Sequence, residues 1–268
     1  MSIACSTSIA CGSSLDVALQ RIAGLGFRNV DILTIDGWVH VNTRDLADNF
    51  DSTIANVDGL LQQHNLKPIA TNSGVSAQLH HRGREVNAQR LHEIDGLLRF
   101  AQHLGISVAA IQPRNADNER LWDDVLADSI MTLLEQKAAG DAVGVTFALE
   151  LHVHSPFETL EQARRFCEAM PEMALVYDPT HFVMQGVDIR ETGWLMDRAS
   201  HVHLRDAASG KIQAPFGKGD VDFDWVFGAL KDRGYQGHFS IEYLESEDFD
   251  VLQEVPKLRD AIAQHFEA

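Results

Sequence analysis

The run FALELH (Phe147–His152) reads as a buried strand that ends in a carboxylate, and three later segments repeat the device. They are LVYDPTH (Leu175–His181), HVHLRD (His201–Asp206) and FSIEYL (Phe239–Leu244). Each delivers a metal-ligand side chain at a strand end: Glu150, Asp178, His203 and Glu242. Three carboxylates and one imidazole supplied in series by separate strands describe an open divalent-cation site. They require a fold that brings strand ends together in a ring.

Working outward, short apolar runs alternate with longer amphipathic stretches from one end of the chain to the other. That is the pattern of parallel strands joined by crossover helices. Strands are expected at Ile3–Ala10, Asn29–Leu33, Lys67–Asn72, Val108–Gln112, Thr146–His152, Ala174–Asp178, His201–Arg205 and His238–Tyr243. Helices are expected near Leu15–Leu25, Arg44–His64, Asn87–Leu104, Glu119–Ala139, Thr159–Ala169, Ile189–Asp197, Trp225–Arg233 and Leu252–Phe266. Eight such units in 268 residues predict an α/β fold, a single (β/α)8 barrel spanning residues 1–268 as one domain. Ser13 or Ser14 is placed to cap the first helix, and Thr159 stands three before Gln162 as a capping box. The stretch from Asp206 to Asp224 is the longest late loop, and in a barrel it lies on the face that carries active sites.

Composition narrows the partners. A net charge of −17 opposes binding to nucleic acid or an anionic membrane, which depends on Lys and Arg neutralising phosphate. The three cysteines, Cys5, Cys11 and Cys167, have no zinc-like spacing and read as reduced thiols. The opening MSIACSTSIACGSS has neither a basic n-region nor a continuous apolar core, and no stretch is long enough to span a membrane. The expectation is a cytoplasmic protein acting on a small polar molecule, and a homo-oligomer is compatible with it.

Each ligand has a bland alternative. Glu150 and Glu242 inside apolar runs would serve equally in buried salt bridges, Asp178 before Pro179 as a turn initiator, and His203 as a core histidine. Four bland explanations would have to coincide at four strand ends in order. The joint pattern favours a metal, and oxygen-rich ligation with one imidazole favours Mn²⁺, Mg²⁺ or Co²⁺, with Zn²⁺ admissible where coordination positions stay open.

The ordered series ELH, YDPTH, HVHLRD, GKGDVDF and SIEYL resembles the xylose-isomerase-like barrel superfamily. This group of sugar and sugar-phosphate isomerases and epimerases also includes inosose dehydratase, 3-dehydroshikimate dehydratase and endonuclease IV. The opening stretch to Asp31 is similar too, with Asp31 where Glu is commoner. The resemblance implies one divalent ion held by Glu150, Asp178, His203 and Glu242. It implies a substrate carbonyl and hydroxyl bound at the metal, with Glu150 and Glu242 as the acid/base pair of an epimerase. For a dehydratase, His152 and His181 are better placed to protonate a leaving hydroxyl.

Residues beside the ligands extend the picture. His152 is in phase with Glu150 along its strand, suited either to substrate or to orienting a ligand carboxylate. His181, one helical turn past Asp178, suits a second ion, and His201 lies deeper than His203. Arg205 suits a substrate oxyanion or an ion pair with Asp206 or Glu242. Arg114 and Lys218 are candidates for an anionic group, and Trp38 for covering a sugar ring. His80–Arg82 reads as a solvated loop, with a lid as the alternative.

The leading expectation is a metal-dependent isomerase or epimerase of a sugar, cyclitol or hydroxy-ketone, working by proton abstraction beside a carbonyl. The alternative is a dehydratase on the same site. An abasic-site endonuclease is opposed by the acidic chain and by Asp222, which stands where that enzyme has a histidine. A non-catalytic sugar-binding barrel is the fourth reading.

Overall fold

The computed structural model describes residues 1–266. Its strands are β1 (Ile3–Ser6), β2 (Asn29–Ile35), β3 (Lys67–Gly74), β4 (Val108–Ile111), β5 (Thr146–Glu150), β6 (Ala174–Tyr177), β7 (Ala199–Leu204), β8 (Asp206–Ala208), β9 (Lys211–Ala214) and β10 (His238–Ile241). All but β8 and β9 pair in parallel, in the cyclic order β1-β10-β7-β6-β5-β4-β3-β2, as a closed eight-stranded barrel. The helices α1 (Leu15–Gly24), α2 (Thr43–Asp48), α3 (Phe50–His64), α4 (Arg84–Leu104), α5 (Trp122–Val143), α6 (Leu160–Ala169), α7 (Thr180–Val183), α8 (Phe223–Asp232) and α9 (Val251–Phe266) fall between and after the barrel strands.

Alternation along the strands separates two apolar cores. In β5, Phe147 and Leu149 join the large core packed between strands and helices, while Ala148 belongs to a small cluster with Val108, Ala110 and Val176. That small cluster fills the barrel interior with short side chains. Glu150 continues the Ala148 face, so the same alternation that buries alanine below places a carboxylate above it. Register does the rest: Glu150 pairs with Val176, His203 pairs with Ser240, and Asp178 and Glu242 follow two residues after those partners.

Local signals hold the helices in place. Ser14 accepts the Val17 amide to cap α1 at 3.4 Å, and Thr159 and Gln162 form the reciprocal capping box of α6. Gly105 and Gly144 close α4 and α5 in the left-handed region that favours glycine.

The expected elements needed four adjustments. The first strand ends at Ser6 and passes into a 3-10 turn at Thr7–Ala10. The helix expected over Arg44–His64 is two, broken at Asn49, whose φ of −131° is not helical. Ile189–Arg198 is a 3-10 helix. The late loop contains the antiparallel β8–β9 hairpin. Among the described residues, no helix is long and apolar enough to cross a membrane.

Candidate metal centre and substrate cavity

Glu150, Asp178, His203 and Glu242 come together at the C-terminal end of β5, β6, β7 and β10, each offering one donor atom within 4.8 Å of the others. All four are buried. His203 Nδ1 lies 2.8 Å from Glu150 Oε1 and 3.4 Å from Glu242 Oε2. Its other nitrogen, Nε2, lies 3.3 Å from Asp31 Oδ2, and Asp31 also meets His201 Nε2 at 3.1 Å.

One oxygen of Asp178 and one of Glu242 are steered by neighbours outside the cluster. Thr180 donates its amide and hydroxyl to Asp178 Oδ1 at 2.8 and 2.5 Å. Asn72 Nδ2 donates to Glu242 Oε1 at 2.7 Å. Asp178 is therefore a turn former as well as a member of the cluster. Asn72, Thr180 and Asp31 were not singled out as site residues with these roles. The same strand-end rule applied to the third strand points to Asn72, and the Asp-Pro-Thr turn points to Thr180.

Electrostatics tie the cluster together. Burial pushes Glu242 toward its neutral form, but His203 and Arg205 outweigh it and hold the carboxyl below its ordinary range. Burial alone would strip His203 of its proton; Glu242, Glu150 and Asp31 reverse that and raise it well above the usual imidazole range. Asp178 moves the other way, raised by burial against the opposing pull of Arg205. Buried atoms without a protein hydrogen-bond partner include Glu150 Oε2 and Asp178 Oδ2. Three converging carboxylates, two of them with an unanswered oxygen, and an imidazole among them fit a hard or borderline divalent ion.

His181 lies against this cluster, its Nε2 at 3.4 Å from Asp178 Oδ2 and 4.0 Å from Glu150 Oε1. Neither ring nitrogen has a hydrogen-bond partner, and burial followed by the neighbouring His152 and Arg205 keeps the ring neutral. His152 packs against it at a tilt, with ring centroids 3.9 Å apart, and Glu150, His152 and His181 form a second potential donor group.

Arg205 is buried inside the site. Its Nη1 donates to the side chain and carbonyl of Glu242 at 2.8 and 3.0 Å, Nη2 lies 3.3 Å from Asp178 Oδ2, and Nε donates to the Ile212 carbonyl at 3.2 Å. The ion pair is therefore with Glu242 and Asp178, and not with Asp206. Above the cluster opens a cavity of about 330 Å³ whose wall includes Trp38, His152, Arg205 and Glu242. The β8–β9 hairpin forms part of this wall and is fastened to the end of the last barrel strand. Gln213 donates to the Leu244 carbonyl at 3.1 Å and accepts its amide at 2.9 Å.

Two residues expected at the substrate lie outside that wall. Arg114 donates to the Asp36 carbonyl at 3.3 Å, and Lys218 is exposed on a loop whose glycine amides turn toward Asp206. Asp222 caps α8 and pairs with Arg190 at 2.6 Å, away from the ligand cluster. Of the His80–Arg82 run, His80 is buried with its carbonyl bonded by Arg120, while His81 beside it is exposed.

Comparison with known proteins agrees with this architecture. Inosose isomerase from Bacillus velezensis is 22% identical over 231 residues, covering 81% of this chain and 82% of that protein. L-ribulose-5-phosphate 3-epimerase UlaE from Escherichia coli is 28% identical over 186 residues, 65% of this chain and 63% of its own length. The crystal structure of IolI protein with a bound zinc atom superposes over 100% of both chains with a TM-score of 0.76 at 20% identity. The profile of the xylose isomerase-like TIM barrel matches residues 19–265, and the chain belongs to that family.

Proposed function

We propose that this protein is a divalent-metal-dependent isomerase or epimerase of a small keto-sugar or cyclitol, working by proton transfer at the carbon beside the carbonyl. The observation that carries the reading is the convergence of Glu150, Asp178, His203 and Glu242 from four successive barrel strands, with buried donor atoms left unanswered. A divalent ion held there supplies a Lewis acid that acidifies the C–H next to a substrate carbonyl. The relatives named for an inosose and a ketopentose phosphate are consistent with such a substrate.

The chain's own groups account for the rest of the chemistry. Glu150 and Glu242 both approach His203 Nδ1, at 2.8 and 3.4 Å, and in the proposed reaction one carboxylate removes the proton from the carbon while the other returns one. Arg205 and Asn72 hold Glu242 in its ionised, oriented form. His181, kept neutral by burial, and His152 line the side next to Glu150, positioned to hydrogen-bond a substrate hydroxyl or to shuttle a proton at a ring nitrogen. Apolar side chains in the cavity wall limit water at the reacting carbon.

The test is proton NMR in deuterated water, with metal-loaded protein and a panel of ketoses and keto-inositols. Deuterium should appear at the carbon beside the carbonyl without net elimination, and Glu150→Gln and Glu242→Gln should each abolish it. Growth of an enone absorbance would reassign the site to a dehydratase. Exchange that survives both substitutions would refute the proposed acid/base pair.

A further inference from the structure

The walls around the candidate centre narrow the substrate class, and this step rests on the reaction proposed above. We infer that the site takes an uncharged, unphosphorylated keto-polyol that lays a C–H face against the Trp38 side of the cavity, and that it rejects sugar phosphates. Leu33, Trp38, Val153, Met184, Ile212 and Leu244 contribute six apolar side chains to the lining. Such a wall suits the C–H surface of a sugar or cyclitol, with its hydroxyls turned to the metal-side carboxylates and histidines.

A phosphate is best held by Lys or Arg and by free amides, and the guanidinium in the lining and the amides of the loop after β7 are committed elsewhere. Among the described residues, Arg205 is the one Lys or Arg in the lining, and all three of its guanidinium nitrogens face Glu242, Asp178 or the Ile212 carbonyl. In barrels of this kind a phosphate is commonly held by backbone amides of the loops after the seventh and eighth strands. Here those amides after β7 already hold an anion. The Asp206 carboxylate accepts from Ala207 at 2.9 Å, Gly217 at 2.8 Å, Gly219 at 3.0 Å and Val221 at 3.4 Å. The chain fills its own anion cradle with a buried aspartate, and the first turn of α8 is likewise closed by the Asp222 cap.

The loop after β10 adds repulsion. It carries Glu245, Glu247, Asp248 and Asp250, and Glu245 takes the Gly12 amide as well as the Arg21 guanidinium. A dianion approaching this loop meets four carboxylates. The relative named for a ketopentose phosphate therefore shares the barrel without lending this chain its substrate charge.

Matched pairs test the inference with the full metal-loaded protein: L-ribulose against its 5-phosphate, and fructose against its 6-phosphate, with keto-inositol as a third neutral ligand. Binding is read from quenching of tryptophan fluorescence that Trp38→Phe removes, and reaction from deuterium exchange. At least one neutral ligand should bind, and the neutral member of each pair that reacts should exceed its phosphate by at least about 100-fold in kcat/KM. Neutral binding without exchange, and with no phosphate binding, would leave the substrate class standing while removing the proposed reaction. Equal or tighter binding of a phosphorylated member would overturn the inference, as would failure of every neutral ligand to bind.

Discussion

Asp31 reaches the far side of the His203 ring, with Oδ2 at 3.3 Å from Nε2, while Nδ1 faces Glu150 at 2.8 Å. One carboxylate thus favours the proton on Nε2 and frees Nδ1 for an ion. Asp31→Asn keeps the volume and removes the charge. It should weaken binding of Mn²⁺ or Zn²⁺ by about 10- to 100-fold, measured by competition with a chromogenic chelator. Unchanged affinity would mean that Asp31 serves His201 alone.

Arg205 neutralises a buried pair of carboxylates, Glu242 and Asp178. Arg205→Met should cost about 3–5 kcal/mol in chelator-treated protein, because it leaves buried charge uncompensated. Saturating divalent metal should recover much of that loss, since the ion supplies the missing positive charge. Urea titrations with and without metal would reveal it, and an equal deficit in both would contradict the shared neutralising role.

Gly219 must lack a side chain, because a Cβ there would stand 2.1 Å from Asp206 Oδ1 and 2.3 Å from the Ala207 carbonyl oxygen. Gly219→Ala should therefore destabilise by about 1–3 kcal/mol, seen as a lower thermal midpoint. A midpoint matching the parent protein would show that the Asp206 loop yields without cost.

His40 gives the stability a pH slope. Its Nε2 bonds the Ala10 carbonyl at 3.1 Å, and burial outweighs its carbonyl partners to depress its pKa below the ordinary 6.5. The unfolded chain then takes up a proton at higher pH than the folded one. The neutral ring's contribution is complete above about 6.5 and is lost as pH falls toward the depressed folded value. His40→Gln should flatten this part of the stability profile, at up to about 1.4 kcal/mol per pH unit. Denaturant midpoints between neutral and mildly acidic pH provide the measurement, and an unaltered slope would assign the effect to the other buried histidines.

The four clustered donors were legible because each breaks an apolar strand at the same relative position, and strand alternation converts that position into one end of the barrel. What escaped were contacts between residues distant in sequence. Asp31 and His201 are 170 positions apart, and only closure of the barrel makes them neighbours. The β8–β9 hairpin was hidden for a different reason. Its strands are three and four residues long, too short for a periodic pattern to stand out from a polar loop. Lys218, a candidate for an anionic group, sits between Gly217 and Gly219, and the amides of those two glycines approach an anion of the chain's own. That anion is Asp206.

The paired bonds between Gln213 and Leu244 make one side of the cavity mouth a fixed jamb. Trp38, which also lines the cavity, stands 49% exposed. Under the proposed reaction, an indole that covers an incoming ring is also a surface a departing one must leave, which would set turnover against retention at that side chain.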